Sequence, residues 1–406
     1  AFDASAPDPL RPYGAGTHEL VAQIVANQRR SDPAVLAEHG NLPALEGIHE
    51  IGLRDLERFL RHPSRGFLRT RMGVSLGDWD DALCDREPVD LDGLETWTFG
   101  ADLMAMATER GLDTLADPTL RSTLEARLRA EGRLPLGAAG REVVQELWDP
   151  IAVLLAGAAE DLQAASNSMV IDLAIAGGRL VGRVQGHDPT NRRVVRCVSE
   201  KPGEKPRHRL GLWIDILAVA VQTGEPCAGI VHGIKESRGD PVHASWAMRS
   251  PPDPRTCLEN LLGLWQRGTC RPLRIAEKTT FAFARSLKQE GLHALGRVLV
   301  AEARLAGSSQ GPSAASDARD PALEAEAREL LAQEPRDQLP LAKAAVAASG
   351  AWAPWNIPGE NADVSIRAVF GEQAVHLQEE LTDEVHPEFE SLAVALWLPI
   401  FEHGDP

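Results

Sequence analysis

Basic side chains are concentrated in residues 169–209, with four acids among them, and these residue types could cut a phosphodiester bond with the help of a metal ion. Such a site needs an Asp or Glu on one strand and an acid-x-Lys sequence on the next, because Mg²⁺ takes oxygen ligands and the lysine stabilises charge at the scissile phosphate. Residues 179–185 contain no acid, and Ser199 and Gly203 stand two positions before Lys201 and Lys205. We therefore expect no catalytic residue, no metal site and no cofactor here.

An active metal-dependent nuclease stays open as an alternative if its ligands are displaced to other acids of this region. Asp172, Asp188 and Glu200 are the candidates for that role. This alternative predicts cleavage that depends on Mg²⁺ or Mn²⁺ and is lost when these acids are changed to alanine.

Other catalytic motifs are absent or stand in the wrong context. A GxSxG sequence at residues 307–311 lies in a Ser/Ala/Gly-rich stretch with no strand before it, which argues against a hydrolase nucleophile. The sequence has no GxxxxGK[ST] and no GxGxxG, so the usual phosphate-binding loops are missing. We expect Trp213 to be a core residue, and Trp352 and Trp355 to pack, with base stacking as the alternative for the last two.

The charge is sharply segregated along the chain, although the formal net charge is −17. Residues 178–209 hold nine basic residues against three acids, and residues 54–71 and 267–288 are also basic. Residues 78–95 and 360–405 are strongly acidic. This segregation of charge suits a protein that binds a polyanion in a basic cleft on an otherwise acidic surface. The simpler explanation is that the charged segments form solvated faces or subunit contacts.

Length and composition describe a globular protein of 406 residues with 43% hydrophobic and 25% charged residues. The longest apolar stretch, residues 392–401, is interrupted by Pro399 and is too short to cross a bilayer, so no membrane partner is expected. The five cysteines are scattered without a CxxC pair, which predicts a reducing cytoplasm. The chain begins Ala1-Phe2-Asp3 without a signal peptide, and we expect it to be a piece of a longer protein.

The hydrophobic pattern predicts an α/β protein with a mixed central sheet flanked by helices. Residues 1–45 are Pro-rich and are predicted to form a connecting arm, and residues 46–406 to form the domain. Within it we expect a helical part at 46–165, a sheet core at 166–250, and a helical part at 251–406 that contains a loop at 306–322. Predicted strands are 169–175, 179–185, 194–198, 228–233 and 242–248, with a late strand at 364–370 and a helix at 210–221.

Six stretches of this chain resemble, in order, the C-terminal region of the RecC family, the gamma chain of the RecBCD helicase–nuclease (exodeoxyribonuclease V). They are LERFLRHPSRGFL at 56–68, LDGLETW at 91–97, GRLPLG at 132–137, GRLVG at 178–182, RLGLWIDILA at 209–218 and AEKTT at 276–280. The resemblance runs from about residue 46 to the end of the chain.

The resemblance implies a fold like that of the RecB nuclease, of the PD-(D/E)XK type, with a degenerate active site and no activity of its own. The resemblance places Gly211 and Val219 at positions where active relatives have Gln and Tyr. It also implies a subunit that engages and splits a duplex end, guides the separated strands and assembles with RecB and RecD in double-strand-break repair and recombination.

The candidate DNA contacts are chosen by their positive charge alone. They are Arg183, Arg192, Arg193, Lys201, Lys205, Arg207 and Lys278. An alternative is a scaffold that docks RecB and RecD without touching DNA, with the basic face paired to an acidic partner surface.

Overall fold

The computed structural model describes residues 42–45, 50–76, 118–131, 134, 137–309, 321–354, 359–371, 375–377 and 385–405. The predicted arm lies outside these residues except for 42–45. The acidic segment 78–95, the stretch 91–97, Trp355 and the last two residues of the GxSxG sequence also lie outside them.

The described residues contain a mixed six-stranded sheet. Its strands are β1 (Glu50–Gly52), β2 (Asn167–Ile175), β3 (Gly178–Asp188), β4 (Arg193–Cys197), β5 (Ala228–Ser237) and β6 (Asp240–Arg249). The order is β1-β3-β4-β5-β6, and β2 pairs with β3. The β1–β3 and β4–β5 pairs are parallel and the others antiparallel. The predicted mixed sheet is confirmed.

Eleven helices accompany the sheet among the described residues. They are α1 (Leu53–Arg61), α2 (Pro63–Met72), α3 (Pro118–Ala130), α4 (Ala138–Ala164), α5 (Pro206–Thr223), α6 (Pro254–Cys270), α7 (Glu277–Ser309), α8 (Pro321–Gln333), α9 (Leu341–Trp352), α10 (Val364–Phe370) and α11 (Pro387–His403). Helix α7 is kinked at Lys288, whose φ is 58° and ψ 179°. Helical structure thus extends into both ends of the predicted 306–322 loop.

The described residues form two compact units. Those of the sheet unit lie within His49–Glu57, Asp78–Asn260 and Pro399–Pro406, and those of the helical unit lie within Ala1–Ile48, Arg58–Gly77 and Leu261–Leu398. No described helix is long and apolar enough to cross a membrane.

The sheet unit has three layers, with α4 and α5 on opposite faces of the sheet. Val194 and Val195 are neighbours in β4 and both are buried, so both faces of this strand are covered. On β5, a Cβ at Gly229 would touch Leu212 of α5, whereas the His232 ring bonds Asp161 of α4. Trp213 of α5 is 1% exposed, which confirms its predicted place in the core.

Strand β1 lies in the region predicted to be helical. It is three residues long and pairs with Arg179, Leu180 and Val181 of β3. Three residues are too few to show an alternating pattern, so their sequence carries no strand signal. The helical part predicted at 46–165 therefore contains one short strand that the sequence pattern did not indicate.

The helical unit is built around aromatic side chains. Phe283 packs edge-on against Phe389, and Phe281 against Trp397, whose indole N–H donates to Thr280 Oγ1 at 3.1 Å. Trp352, at the end of α9, is 9% exposed and therefore packs, as predicted.

The predicted strand at 364–370 was wrong, because these residues form helix α10. Their β-branched composition favours a strand, but the Asp363 carboxylate accepts the backbone N–H groups of Ser365 and Ile366 at 2.9 and 3.1 Å. This N-cap satisfies two of the free amides of a helix start and fixes the helical conformation.

Candidate functional site

Strands β3 and β4 diverge and leave a wedge in the middle of the sheet. Strand β3 pairs with β1 at residues 179–181 and with β4 only at His187 and Asp188, so residues 182–186 have no strand partner on that edge among the described residues. Gly186, with φ 69°, lies next to the last paired residues, where the two strands are still close, because a Cβ there would lie 2.2 Å from the Val195 carbonyl oxygen.

Two carboxylates and two guanidiniums of the sheet unit meet beside the wedge, and we call them the wedge network. Arg196 of β4 donates from Nη2 and Nε to Asp215 Oδ2 of α5, at 2.5 and 3.0 Å. Arg54, near the start of α1, bridges Asp215 Oδ1 at 2.9 Å and Glu57 Oε2 at 2.6 Å. Arg196 Nη2 lies 3.9 Å from the same Glu57 oxygen.

Burial makes the wedge network interdependent. The Asp215 side chain is only 1% exposed, and a carboxylate at such depth requires a cationic partner. Burial lowers the pKa of Arg54, but Asp215 and Glu57 raise it by more, so its pKa is raised overall. Two positive and two negative charges cancel, and the network is neutral as a whole.

Gly211 of α5 makes room for the wedge network. A Cβ at this position would lie 2.4 Å from Arg196 Nη1 and 2.6 Å from Glu57 Oε1. Both distances are shorter than a van der Waals contact allows. The glycine that the family resemblance singled out is therefore the residue that lets the two side chains approach each other.

A second network lies on the opposite face of the sheet. Arg193 of β4 bonds Asp188 of β3 at 3.0 Å and Asp161 of α4 at 2.7 Å. The other Asp161 oxygen meets His232 Nε2 at 2.9 Å, and His232 Nδ1 meets His243 Nε2 at 2.9 Å. Burial lowers the pKa of His232, Asp161 opposes the effect, and His243 adds to it. This chain of contacts fastens α4 to the sheet.

Four of the seven predicted DNA contacts are engaged in ion pairs with acids of the sheet unit. Arg192 pairs with Glu225 at 2.6 Å and Arg193 with Asp188 and Asp161. Lys201 pairs with Glu204, and Arg207 with Glu200. A phosphate would have to displace these acids.

The other three predicted contacts are exposed and form no salt bridge with any described residue. Arg183, on the outer face of β3, donates to Ser168 Oγ at 3.0 Å. Lys205 occupies the N-cap position of α5. Lys278 lies in the first turn of α7, in the helical unit, where its backbone N–H donates to Glu360 at 2.9 Å. The contacts therefore divide between the two units.

The displaced acids of the nuclease alternative do not converge. Asp172 pairs across the hairpin with Val181, seven residues from Asp188 along β3, which at about 3.3 Å per residue is about 23 Å. One Mg²⁺ holds its ligands at about 2.1 Å. Asp172 is bound by Arg179, which lowers its pKa, and Glu200 by Arg207. Among the described residues, no three His, Cys, Asp or Glu side chains are grouped to hold a metal.

Sequence reasoning missed the wedge network. Arg196 was counted only as one of the basic residues of 178–209, and Asp215 only as part of an apolar helix. A signal was nevertheless present, because Asp215 is the one charged residue in the apolar stretch 210–221 and so requires a partner. The sequence does not show that this partner comes from β4.

Comparison with known proteins identifies the family. A family model described as the RecC C-terminal domain matches residues 48–288. The chain is 30% identical over 286 residues to the RecBCD enzyme subunit RecC of Mycolicibacterium smegmatis, covering 68% of this chain and 24% of that protein. The RecC subunit of Mycobacterium tuberculosis is 28% identical over 279 residues, with the same coverage.

The Escherichia coli RecC subunit is 32% identical over 132 residues, which is 32% of this chain and 11% of that protein. The chain thus spans about a quarter of the length of its mycobacterial relatives. Since the family match covers more than half of the chain, this chain belongs to the family of RecC C-terminal domains.

Proposed function

We propose that this chain is a non-catalytic DNA-handling and assembly module of a RecC-type subunit. It would act within a RecBCD-type helicase–nuclease in double-strand-break repair and recombination. There it would engage a forked duplex end, help to split it and guide the separated strands. Its relatives are named as RecC subunits of the RecBCD enzyme, which supports this assignment.

The wedge network is the observation that carries the non-catalytic part of the proposal. A metal-dependent nuclease needs carboxylates that are free to bind a divalent cation. Glu57 and Asp215 are instead held by two guanidiniums. A nuclease-like sheet whose carboxylates are neutralised in this way would be degenerate, and it would hold DNA without cutting it.

The exposed cations support the DNA-binding part. Arg183, Lys205 and Lys278 are exposed and are not neutralised by a salt bridge to a described residue. Phosphate contacts from such side chains release counterions, and they supply most of the affinity of a protein that does not read sequence. These three residues are the first choices for DNA contact, and the other four predicted contacts stay predictions.

A scaffold that docks RecB and RecD without DNA contact is the second candidate function. It is favoured by the ion pairs of Arg192, Arg193, Lys201 and Arg207, which already satisfy these cations within the chain. In that case the unpaired cations and the acidic segments would face partner subunits.

Binding of a labelled forked DNA end across a salt series, with and without Mg²⁺, tests the proposal and shows cleavage in the same samples. We expect intact DNA and an affinity that falls by about 0.7–0.9 in log K per phosphate contact for each log unit of salt. Absence of binding at low salt would move the function to partner docking. Cleavage that requires Mg²⁺ would overturn the non-catalytic assignment.

A further inference from the structure

In the wedge network, two guanidiniums supply the two positive charges that a divalent cation would bring to a pair of carboxylates. Two carboxylates, Glu57 and Asp215, supply two negative charges to one locus beside the wedge. Two guanidiniums, Arg54 and Arg196, supply two positive charges to the same oxygens. A single Mg²⁺ or Mn²⁺ carries the same charge, and Mg²⁺ is commonly held by one or two carboxylates and water.

The geometry supports this equivalence. Arg54 Nη2 and Arg196 Nη2 lie 2.9 and 2.5 Å from the two oxygens of Asp215, and both guanidiniums also approach Glu57 Oε2, at 2.6 and 3.9 Å. Both carboxylates therefore direct oxygens toward the same pair of cations. Gly211 leaves this space open, because any side chain there would fill it.

We propose that the guanidiniums of Arg54 and Arg196 occupy the place of a divalent cation in the sheet unit, and that Glu57 and Asp215 gain affinity for Mn²⁺ or Mg²⁺ when a guanidinium is replaced, most strongly when both are. The two arginines are then the residues that keep this site closed to metal ions in the native chain. This inference would explain why the chain is non-catalytic, and in that respect it rests on the proposed function. It does not require the chain to bind DNA.

The test compares the full chain with the double variant Arg54→Gln/Arg196→Gln. Glutamine keeps a hydrogen-bond donor beside Asp215 but removes the charge. We expect Mn²⁺ to raise the melting temperature of the double variant by about 5–10 °C at 100 times its dissociation constant, and to leave the native chain unchanged. Calorimetric titration with Mn²⁺ should give one site per chain in the variant.

Two further variants serve as controls. Arg179→Gln/Arg192→Gln removes the same charge and frees two exposed carboxylates, Asp172 and Glu225, that lie on different elements. It should show no Mn²⁺ response. Adding Glu57→Gln to the double variant removes one proposed ligand and should abolish the response. An equal response in all variants, or none in a folded double variant, would overturn the proposal.

A double variant that fails to fold is also informative. Mn²⁺ should then restore its folding, because the ion supplies the missing charge. If Mn²⁺ does not, the single variant Arg54→Gln decides, since the Arg54 side chain is 40% exposed and its loss is tolerable. This variant has one uncompensated negative charge, so Mn²⁺ should stabilise it more than the native chain, and an equal effect would overturn the proposal. The forked-DNA binding experiment on the native chain tests the proposed function separately, so the failure of one proposal can be distinguished from the failure of the other.

Discussion

Single residues decide the chemistry beside the wedge. Arg196 places a guanidinium against a buried carboxylate, Asp215, at 2.5 Å. Gly211, one turn earlier on α5 than Asp215, leaves room for that guanidinium. Helix propensity alone would favour alanine over glycine here by about 1 kcal/mol, so the glycine reflects packing. With other side chains at positions 196 and 211, the buried Asp215 carboxylate would need a different cationic partner.

Changing Gly211 to alanine should destabilise the protein by about 1–3 kcal/mol, because the new Cβ would overlap Arg196 and Glu57. Urea unfolding measures the change. Gly350→Ala is the matched control, since Gly350 also lies in a helix and a Cβ there meets nothing within 4 Å. The control should be neutral or stabilising, and similar losses in both variants would refute the steric explanation.

Arg183 and Arg193 should behave differently when each is changed to glutamine. Arg183 is exposed, so its loss should weaken forked-DNA binding and leave the melting temperature unchanged. Arg193 holds Asp188, which is 1% exposed, and its loss should lower the melting temperature. Parallel melting and binding measurements on both variants separate the roles, and a stability loss for Arg183→Gln alone would reverse our assignment.

At the scale of elements, the divergence of β3 from β4 creates the wedge. Gly186 lies beside the wedge where β3 and β4 are still close, and its left-handed backbone and its close approach to the Val195 carbonyl both require the absence of a side chain. Gly177, in the hairpin between β2 and β3, shares the left-handed conformation with φ 75° but has open space around it.

Gly186→Ala should therefore cost more stability than Gly177→Ala. Both variants lose about 1–2 kcal/mol from the left-handed backbone, and only the first adds a clash with a main-chain oxygen. The difference in unfolding free energy between the two variants isolates the clash. Equal losses would show that β4 adjusts freely and that the wedge is not fixed by this glycine.

Most elements were predictable from sequence, and the failures have physical causes. The strands at 169–175, 228–233 and 242–248 and the helix at 210–221 have clear periodicity and lie where predicted. Strand β1 is too short to show a period, and α10 is decided by the Asp363 cap rather than by composition. The basic character of 178–209 was evident, but which cations are paired depends on contacts such as Arg193 with Asp161, far apart in sequence.

At the scale of the whole molecule, three partly or fully buried histidines make stability depend on pH. Burial lowers the pKa of His62, His376 and His386 from 6.5 to about 4. The unfolded chain binds protons at these residues near pH 6.5, whereas the folded chain binds them only near pH 4. Stability should therefore be highest above pH 6.5 and fall as the pH drops toward 4. Glu360 and Glu390, whose pKa values are raised by burial, act in the opposite direction.

Changing His62 to glutamine should make the stability fall less steeply as the pH drops from 6.5 to 4. The variant lacks one group that the unfolded chain protonates first, and its stability relative to the native chain should improve as the pH falls from 6.5 to 4. Melting temperatures at several pH values measure the effect, with pH 8 as the reference at which the histidine is neutral in both states. Parallel curves for the two proteins would contradict the assignment.

We propose that exposed cations without a salt bridge to a described residue hold DNA in this chain. The most direct test of this claim is the salt dependence of forked-DNA binding in the triple variant Arg183→Gln/Lys205→Gln/Lys278→Gln. The control is Arg179→Gln/Arg297→Gln/Arg328→Gln, which removes the same charge at exposed arginines paired with acids. We predict that the first variant binds more weakly and loses about 2–3 from the slope of log K against log salt, while the control keeps the native slope. Equal losses in both variants would contradict the claim.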